Sequence, residues 1–262
     1  MPGVAASRQD SRVTLLDLMP KPATPDALYE TFAAWAEERG ITLYPAQEEA
    51  LIELVSGNNV ILATPTGSGK SLVAAGAHFA ALAEGQWGAA RGLSDHVYVT
   101  VGTGVGMGII VNGQPVSGRM HPEAGHVRVR RVAGDDFAGA CPFHGDCLEG
   151  LVAGPGIAAR VGRPAQELAA DDPAWTFVAD ALAESFAGLF LTLACGRIVI
   201  GGGVGVGQPQ LLDMVRAATV EKLSGYLPFV NAAEIANRIV HAQLGDQAGP
   251  LGTLALARTV LD

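Results

Sequence analysis

Charge is scarce in this 262-residue sequence: Asp, Glu, Lys and Arg make up only 16%, against 49% hydrophobic residues. Positive charge is scarcest, with 17 Lys and Arg set against 26 Asp and Glu, a formal net charge of -9. Duplex-binding surfaces draw much of their affinity from neutralising phosphates, so this balance argues against nucleic acid as a partner. No apolar run reaches the roughly 18–20 residues needed to span a bilayer, and charges scattered through residues 1–19 leave no apolar centre for a signal peptide. The expectation is a soluble, cytoplasmic protein with no membrane attachment. Cysteine is rare at three residues, and two of these, Cys141 and Cys147, flank a histidine within one short stretch. In a reducing compartment that pattern reads as metal binding before disulfide.

Glycine, by contrast, is abundant at 34 residues and clusters at 67–69, 102–108 and 201–207. Helices are predicted over 25–39, opened by Pro25-Asp26 and ended by Gly40, and over 46–56. A buried strand at 59–63 then leads into a glycine-rich turn and a helix over 71–84. From residue 96 two strands joined by glycines are expected, with Asn112-Gly113 as a hairpin turn. Residues 126–131 alternate like a half-exposed strand, and 132–146 read as loop. A long apolar helix over 173–194, a strand at 197–200 and a helix over 208–223 follow. Strands first, then strands alternating with helices, predict an α/β sheet domain.

The run Thr64-Pro-Thr-Gly-Ser-Gly-Lys-Ser71, between a strand and a helix, fits the logic of a phosphate-binding loop. Gly67 and Gly69 would let backbone amides approach phosphates, Lys70 would reach the β- and γ-phosphates, and Ser71 would hold Mg. A plain Gly-Ser turn before a helix is the other reading of these residues. Together with Leu43-Tyr-Pro-Ala-Gln-Glu-Glu-Ala-Leu51, the segment resembles the start of a DEAD/DEAH-type superfamily 2 helicase. That resemblance implies adenine recognition by Gln47 and covers roughly residues 10–85. It then stops: the sequence has no Asp-Glu dipeptide to hold Mg and activate water.

In the second part, Cys141-Pro-Phe-His-Gly-Asp-Cys147 offers three metal donors in one loop, and His126 upstream can supply a fourth. Two thiolates and two imidazoles make a closed tetrahedral zinc site, so zinc here is expected to be structural. Thr100-Val-Gly-Thr-Gly-Val-Gly-Met-Gly108 is a strand turn dense enough in glycine for close approach of an anion, and equally fits a bulged, tightly packed hairpin. Glu149 can be read as a helix N-terminal acid favoured by the dipole.

Taken in order, the glycine-rich turn, His121-Pro-Glu-Ala-Gly-His126, Cys141-Pro-Phe-His-Gly-Asp-Cys-Leu-Glu-Gly150 and Gly201-Gly-Gly-Val204 resemble the ROK family of sugar kinases and repressors, in its fructokinase branch. The resemblance runs from about residue 80 to the end. It implies an actin/hexokinase (ribonuclease-H-like) α/β lobe, with a partial P-loop strand-helix fragment ahead of it. It implies an ATP-dependent kinase, working with Mg, on a hexose such as fructose. By residue, it implies sugar contacts at Glu123 and Glu149 and zinc ligands at His126, Cys141, His144 and Cys147. Phosphate contacts are implied at Gly102, Thr103, Gly104 and Gly106, and the adenosine side of the cleft at Gly202, Gly203 and Val204. Two family features are missing. No Asp-x-Gly-Gly-Thr strand occurs in the sequence, and the catalytic aspartate, counted back from Ala80-Ala-Leu-Ala-Glu-Gly85, falls at Gly76; no aspartate stands between Asp26 and Asp95. The expectation is therefore a chimera, with a helicase-like part over 1–85 and a kinase lobe over 86–262 that is inactive alone. A helicase-type ATP-binding fragment and a non-enzymatic, zinc-stapled interaction domain are the alternatives. Homo-oligomerisation through the 173–194 helix is a further expectation.

Overall fold

The computed structural model describes residues 24–38 and 70–248, with positions 20, 22, 251, 252 and 255 in addition. The chain divides into two compact units, Met1–Pro65 and Thr66–Asp262. In the first unit, helix α1 spans Pro25–Glu37. The Thr24 hydroxyl accepts the Ala27 N–H at 3.4 Å, satisfying one of the donors that a helix start leaves open. The helix predicted at 46–56 and the strand at 59–63 lie outside the described residues.

The second unit is a five-stranded mixed sheet between two helical layers. Helix α2 (Lys70–Trp87) leads into β1 (His96–Val101), β2 (Val105–Val111) and the two-residue β3 (Gln114–Pro115). Short helices α3 (Leu148–Val152) and α4 (Gly154–Val161) come next, then the long α5 (Ala174–Leu193), β4 (Arg197–Gly201), a single turn α6 (Gly203–Gly207) and α7 (Pro209–Leu223). Helix α8 (Ile235–Arg238) turns into β5 (Ile239–His241). The strand order is β3-β2-β1-β4-β5. β1 runs antiparallel to β2 but parallel to β4, and β4 is parallel to β5.

Alternation along the strands sorts side chains to the two faces. Val97, Val99, Val101, Ile198 and Ile200 pack with Trp175, Leu182 and Phe186 of α5. Tyr98, Ile110 and Val199 face the other way, onto Ala77, Ala80 and Ala81 of α2. The alanines let α2 lie close to the sheet, and Gly108 makes the contact closer still. A Cβ there would fall 2.1 Å from the Ala77 carbonyl oxygen and 2.8 Å from the Ala81 methyl. By length and composition α5 could cross a bilayer, yet Trp175, Leu182 and Phe186 on it are at most 1% exposed and build the core.

The hairpin turn stands at Asn112 and Gly113, both with positive φ (52° and 75°), as a two-residue turn between twisted strands requires. Two expectations need adjustment. Residues 126–131 do not form a strand: Ala124–His126 is a 3-10 turn, and beyond it the backbone makes a single bridge, Arg128 to Cys147. With no neighbouring strand to continue the ladder, the alternating pattern stays a loop, and Val127 is left 58% exposed. The 85/86 boundary drawn from sequence falls inside α2, whose alanine face is part of the second unit's core.

Glu84 fastens that helix. Its side chain is fully buried, and its carboxylate accepts the N–H groups of Ala89 (2.6 Å), Gln243 and Leu244 (both 2.9 Å). Buried carboxylates persist only with such donors.

Candidate functional site

Two glycine turns meet at the carboxyl edge of the parallel pair β1–β4, where Thr100 is in register with Gly201. Ligands of open α/β sheets bind outside such strand ends. The first turn is Gly102–Gly104, closed by the Gly102 N–H on the Gly104 carbonyl (2.9 Å), with Thr103 exposed at its tip. The second begins at Gly202, whose φ of 85° suits glycine and whose missing side chain would come 2.5 Å from the Val101 carbonyl oxygen. Gly203 reaches the first turn: its amide nitrogen lies 3.9 Å from where a Cβ on Gly102 would stand. Gly203 and the buried Val204 line a cleft of about 110 Å³ with Gln166, Trp175 and Gln208. Gly106 is placed differently from its neighbours. It lies within β2, buried and paired with Thr100, rather than in the turn.

Beside the first turn, His126, Cys141, His144 and Cys147 converge, with one donor atom from each lying within 4.8 Å of all the others. His126 Nδ1 is 3.7 Å from Cys141 Sγ and 3.5 Å from Cys147 Sγ, and His144 Nδ1 is 3.7 Å from Cys141 Sγ. Donors held about 2.0–2.3 Å from one tetrahedral ion would stand roughly 3.3–3.8 Å apart, so the cluster has the spacing and the donor types of a four-coordinate zinc site. Burial, with smaller contributions from neighbouring Cys141 and Glu149, pushes the Cys147 thiol up to about 11. A cation is what would bring such a thiol to its thiolate. The loop is pre-shaped by glycine: Cys141 and Gly145 exchange backbone hydrogen bonds (3.1 and 2.9 Å), and Gly150 packs so closely that a Cβ would fall 2.0 Å from the Gly145 carbonyl oxygen.

The two candidate sugar-binding carboxylates flank His126. Glu123 precedes the 3-10 turn that carries it. One Glu123 oxygen lies 3.1 Å from His121 Nε2, both side chains being about one-third exposed (30% and 27%). The His121 ring in turn meets His78 of α2 edge-on, at 6.1 Å between centroids. Glu149, in the first turn of α3, is only 13% exposed. Its Oε2 accepts the Val105 N–H at 3.1 Å, and its Oε1 faces His126 Nε2 at 3.9 Å. Together with Thr103, Cys141 and Pro155 it lines a cleft of about 160 Å³.

A further fastening of this region has no local signature in the sequence. Asp135, 3% exposed, pairs with Arg131 (2.8 Å) and with Arg160 of α4. The Arg160 guanidinium also stacks over Phe137 (4.6 Å) and Phe177 (5.1 Å). Burial would raise the Asp135 carboxyl, but the Arg160 and Arg131 guanidiniums outweigh it and hold it at about 2. This pair anchors the near end of loop 132–146, whose far end carries the cysteines.

The sequence profile of the ROK family matches residues 70–260. The chain belongs to the ROK family. Among curated relatives it is similar to fructokinases from Pediococcus pentosaceus (38% identical over 182 residues, 70% of this chain and 62% of that protein) and Zymomonas mobilis (42% over 181 residues, 68% and 59%). It spans about three fifths of the length of these relatives. Its fold is that of the ROK hexokinase from Thermus thermophilus, with a TM-score of 0.61 at 23% identity over 90% of this chain and 86% of that one. The ROK glucokinase of Streptomyces griseus, solved with glucose and AMPPNP, has the same fold at TM-score 0.54, 20% identity, over 92% and 90%. The ROK lobe is thus the α/β sheet of the hexokinase type expected from its motifs.

Of the remaining sequence candidates, Gln47, Gly67 and Gly69 lie outside the described residues. Lys70 and Ser71 open α2, within the ROK match. Gly76 sits on the same helix, and a Cβ there would meet nothing within 4 Å. Cys195 is buried at 1% exposure.

Proposed function

We propose that this chain carries the sugar-binding lobe of an ATP-dependent hexose kinase whose substrate is fructose or a close relative. The observation that carries this reading is the similarity to fructokinases, 42% identical over 181 residues in one case, beside a family match over residues 70–260 that holds the glycine turns, Glu123, Glu149 and the four-donor cluster. In this reading the amides of Gly102 and Gly104 and the Thr103 hydroxyl receive the phosphates of Mg-ATP, with Gly106 behind them as strand packing. Gly202, Gly203 and Val204 border the adenosine side. Glu123 and the lone pairs of Glu149 not used by Val105 accept sugar hydroxyls, a task suited to carboxylates because each oxygen takes a hydroxyl hydrogen at a defined angle.

We propose further that zinc is bound by His126, Cys141, His144 and Cys147 and is structural. All four coordination positions are filled by protein donors, which leaves no position for substrate. The ion would fix the loop from which α3 and Glu149 start.

The family's proton-accepting carboxylate has no counterpart at Gly76, so little or no fructose-dependent turnover is expected. A coupled ADP-release assay with fructose and Mg-ATP tests this. Turnover at an ordinary kinase rate would show that another residue accepts the proton.

For the residues ahead of the ROK match we propose a separate, helicase-like ancestry, cytoplasmic like the kinase part. The division between units at Pro65 and Thr66 and the start of the match at residue 70 support it. Sequencing across codons 75–95 in the source genome tests the junction; two separate reading frames there would refute a natural fusion.

A further inference from the structure

Glu149 occupies an unusual position between two parts of the site. Its Oε2 holds the Val105 N–H at 3.1 Å, at the exit of the Gly102–Gly104 turn. It lies so close to that turn that a Cβ on Gly104 would stand 2.8 Å from the same oxygen. Its Oε1 faces His126 Nε2 at 3.9 Å, while the other nitrogen of that ring, Nδ1, is turned to the sulfurs of Cys141 and Cys147. One carboxylate therefore touches the anion turn on one side and the back of a metal-donor histidine on the other.

The chemistry of the ring makes this arrangement directional. An imidazole that gives Nδ1 to a metal must carry its proton on Nε2. That proton then points at Glu149, and the metal's charge, partly shared by the ring, adds to the attraction at 3.9 Å. Without a metal the ring is free to change tautomer and to turn, and the carboxylate loses one of the groups that hold its rotamer, the Val105 N–H being another. The contact is at ion-pair rather than hydrogen-bond distance, so it acts through orientation and charge.

We infer that Glu149 is a positioning residue that couples the four-donor cluster to the Gly102–Gly106 segment, so that metal occupancy sets how firmly the anion turn is held. This rests on the metal-site reading given under Proposed function. It assigns Glu149 a task separate from sugar contact, and makes metal and phosphate ligands cooperate with equal effect in both directions.

The test uses the full chain and starts with zinc content, which judges the metal reading by itself. Amide hydrogen exchange is then followed for residues 102–106 in zinc-loaded and chelator-treated protein, with β4 (197–201) as the internal control for general loosening. Zinc removal is expected to speed exchange at 102–106 by about fivefold to tenfold while 197–201 stays unchanged, as for release of one local hydrogen bond. ADP affinity should fall by a similar factor. In Glu149→Gln the amide oxygen can still accept from Val105, but the amide NH2 opposes the Nε2 proton; zinc should remain at one per chain and the dependence of 102–106 on zinc should vanish. Gly104→Ala provides a second route, because its methyl displaces the carboxylate without touching any donor residue, and the same loss of dependence is expected. Equal exchange at 102–106 with and without zinc, while 141–147 loosens, overturns the coupling. A wild-type chain that holds no zinc overturns it together with the metal reading. Unchanged zinc dependence in both variants overturns the role of Glu149.

Discussion

Gly125 stands directly against Val105. A Cβ on Gly125 would fall 2.1 Å from the Val105 carbonyl oxygen and 2.9 Å from its carbonyl carbon. The Glu-x-Gly-His motif is thereby pressed onto the first residue of β2, with Glu123 on one side of the contact and His126 on the other. Gly125→Ala must push the turn away from the strand, since the obstacle is backbone. A loss of about 1–3 kcal/mol is expected in denaturant unfolding, with a measurable drop in zinc affinity because His126 moves with the turn. Wild-type stability and wild-type zinc affinity together would show that the turn relaxes freely.

The metal cluster should carry much of the stability of loop 132–146. Purified protein is expected to hold one zinc per chain by elemental analysis. Cys147 is fully buried, so Cys147→Ser should abolish tight binding and lower Tm, whereas His144→Ala, at an exposed position, should weaken binding but leave three donors in place. Equal metal content in wild type and Cys147→Ser would exclude the cluster as the site.

Asp135 makes a pH-dependent contribution. Its carboxyl is held at about 2, below the ordinary value near 3.9 that applies in the unfolded chain. A depressed folded value means the stabilisation is complete above about pH 4 and is lost as pH falls toward 2, amounting to about 2 kcal/mol. Unfolding of wild type and Asp135→Asn should therefore differ fully at pH 7, about half as much at pH 3, and converge only below about pH 2. A difference that stays constant across this range would mean the ion pair contributes nothing through ionisation.

Gly76→Asp should be tolerated, because a side chain there meets nothing within 4 Å and glycine is the poorer helix former. Stability within about 0.5 kcal/mol of wild type is expected. If the missing carboxylate is what limits turnover, fructose-dependent ADP release should rise on the order of 10²-fold, the lower range for a general base. Unchanged rates in a well-folded variant would place the deficiency elsewhere.

What could be read from the sequence was local. The hairpin turn needs two residues with positive φ, and Asn112-Gly113 announces it. Three of the four donors sit in one seven-residue stretch, and the fourth, His126, stands 15 residues ahead of Cys141, close enough in sequence to be offered as a ligand. The pieces that escaped are long-range. Asp135 and Arg160 are 25 residues apart, and no periodicity links them. Residues 126–131 alternate like a strand, but strand formation also needs a neighbour with an open edge, and β2 pairs β3 instead. Gly106 shared a motif with Gly102 and Gly104, yet β-pairing with Thr100 took it out of the turn.

The buried carboxylate of Glu84 also constrains the order of events during synthesis. Its partners Gln243 and Leu244 are 159 and 160 residues downstream. As the chain emerges from the ribosome, α2 can form early, but its buried acid waits for nearly the whole remaining lobe before two of its three N–H donors exist. Contacts of such sequence separation slow folding and leave apolar surface exposed meanwhile. A nascent chain halted before residue 243 would hold a buried acid with only the Ala89 N–H of its three donors, and should be recognisable as such by its sensitivity to protease.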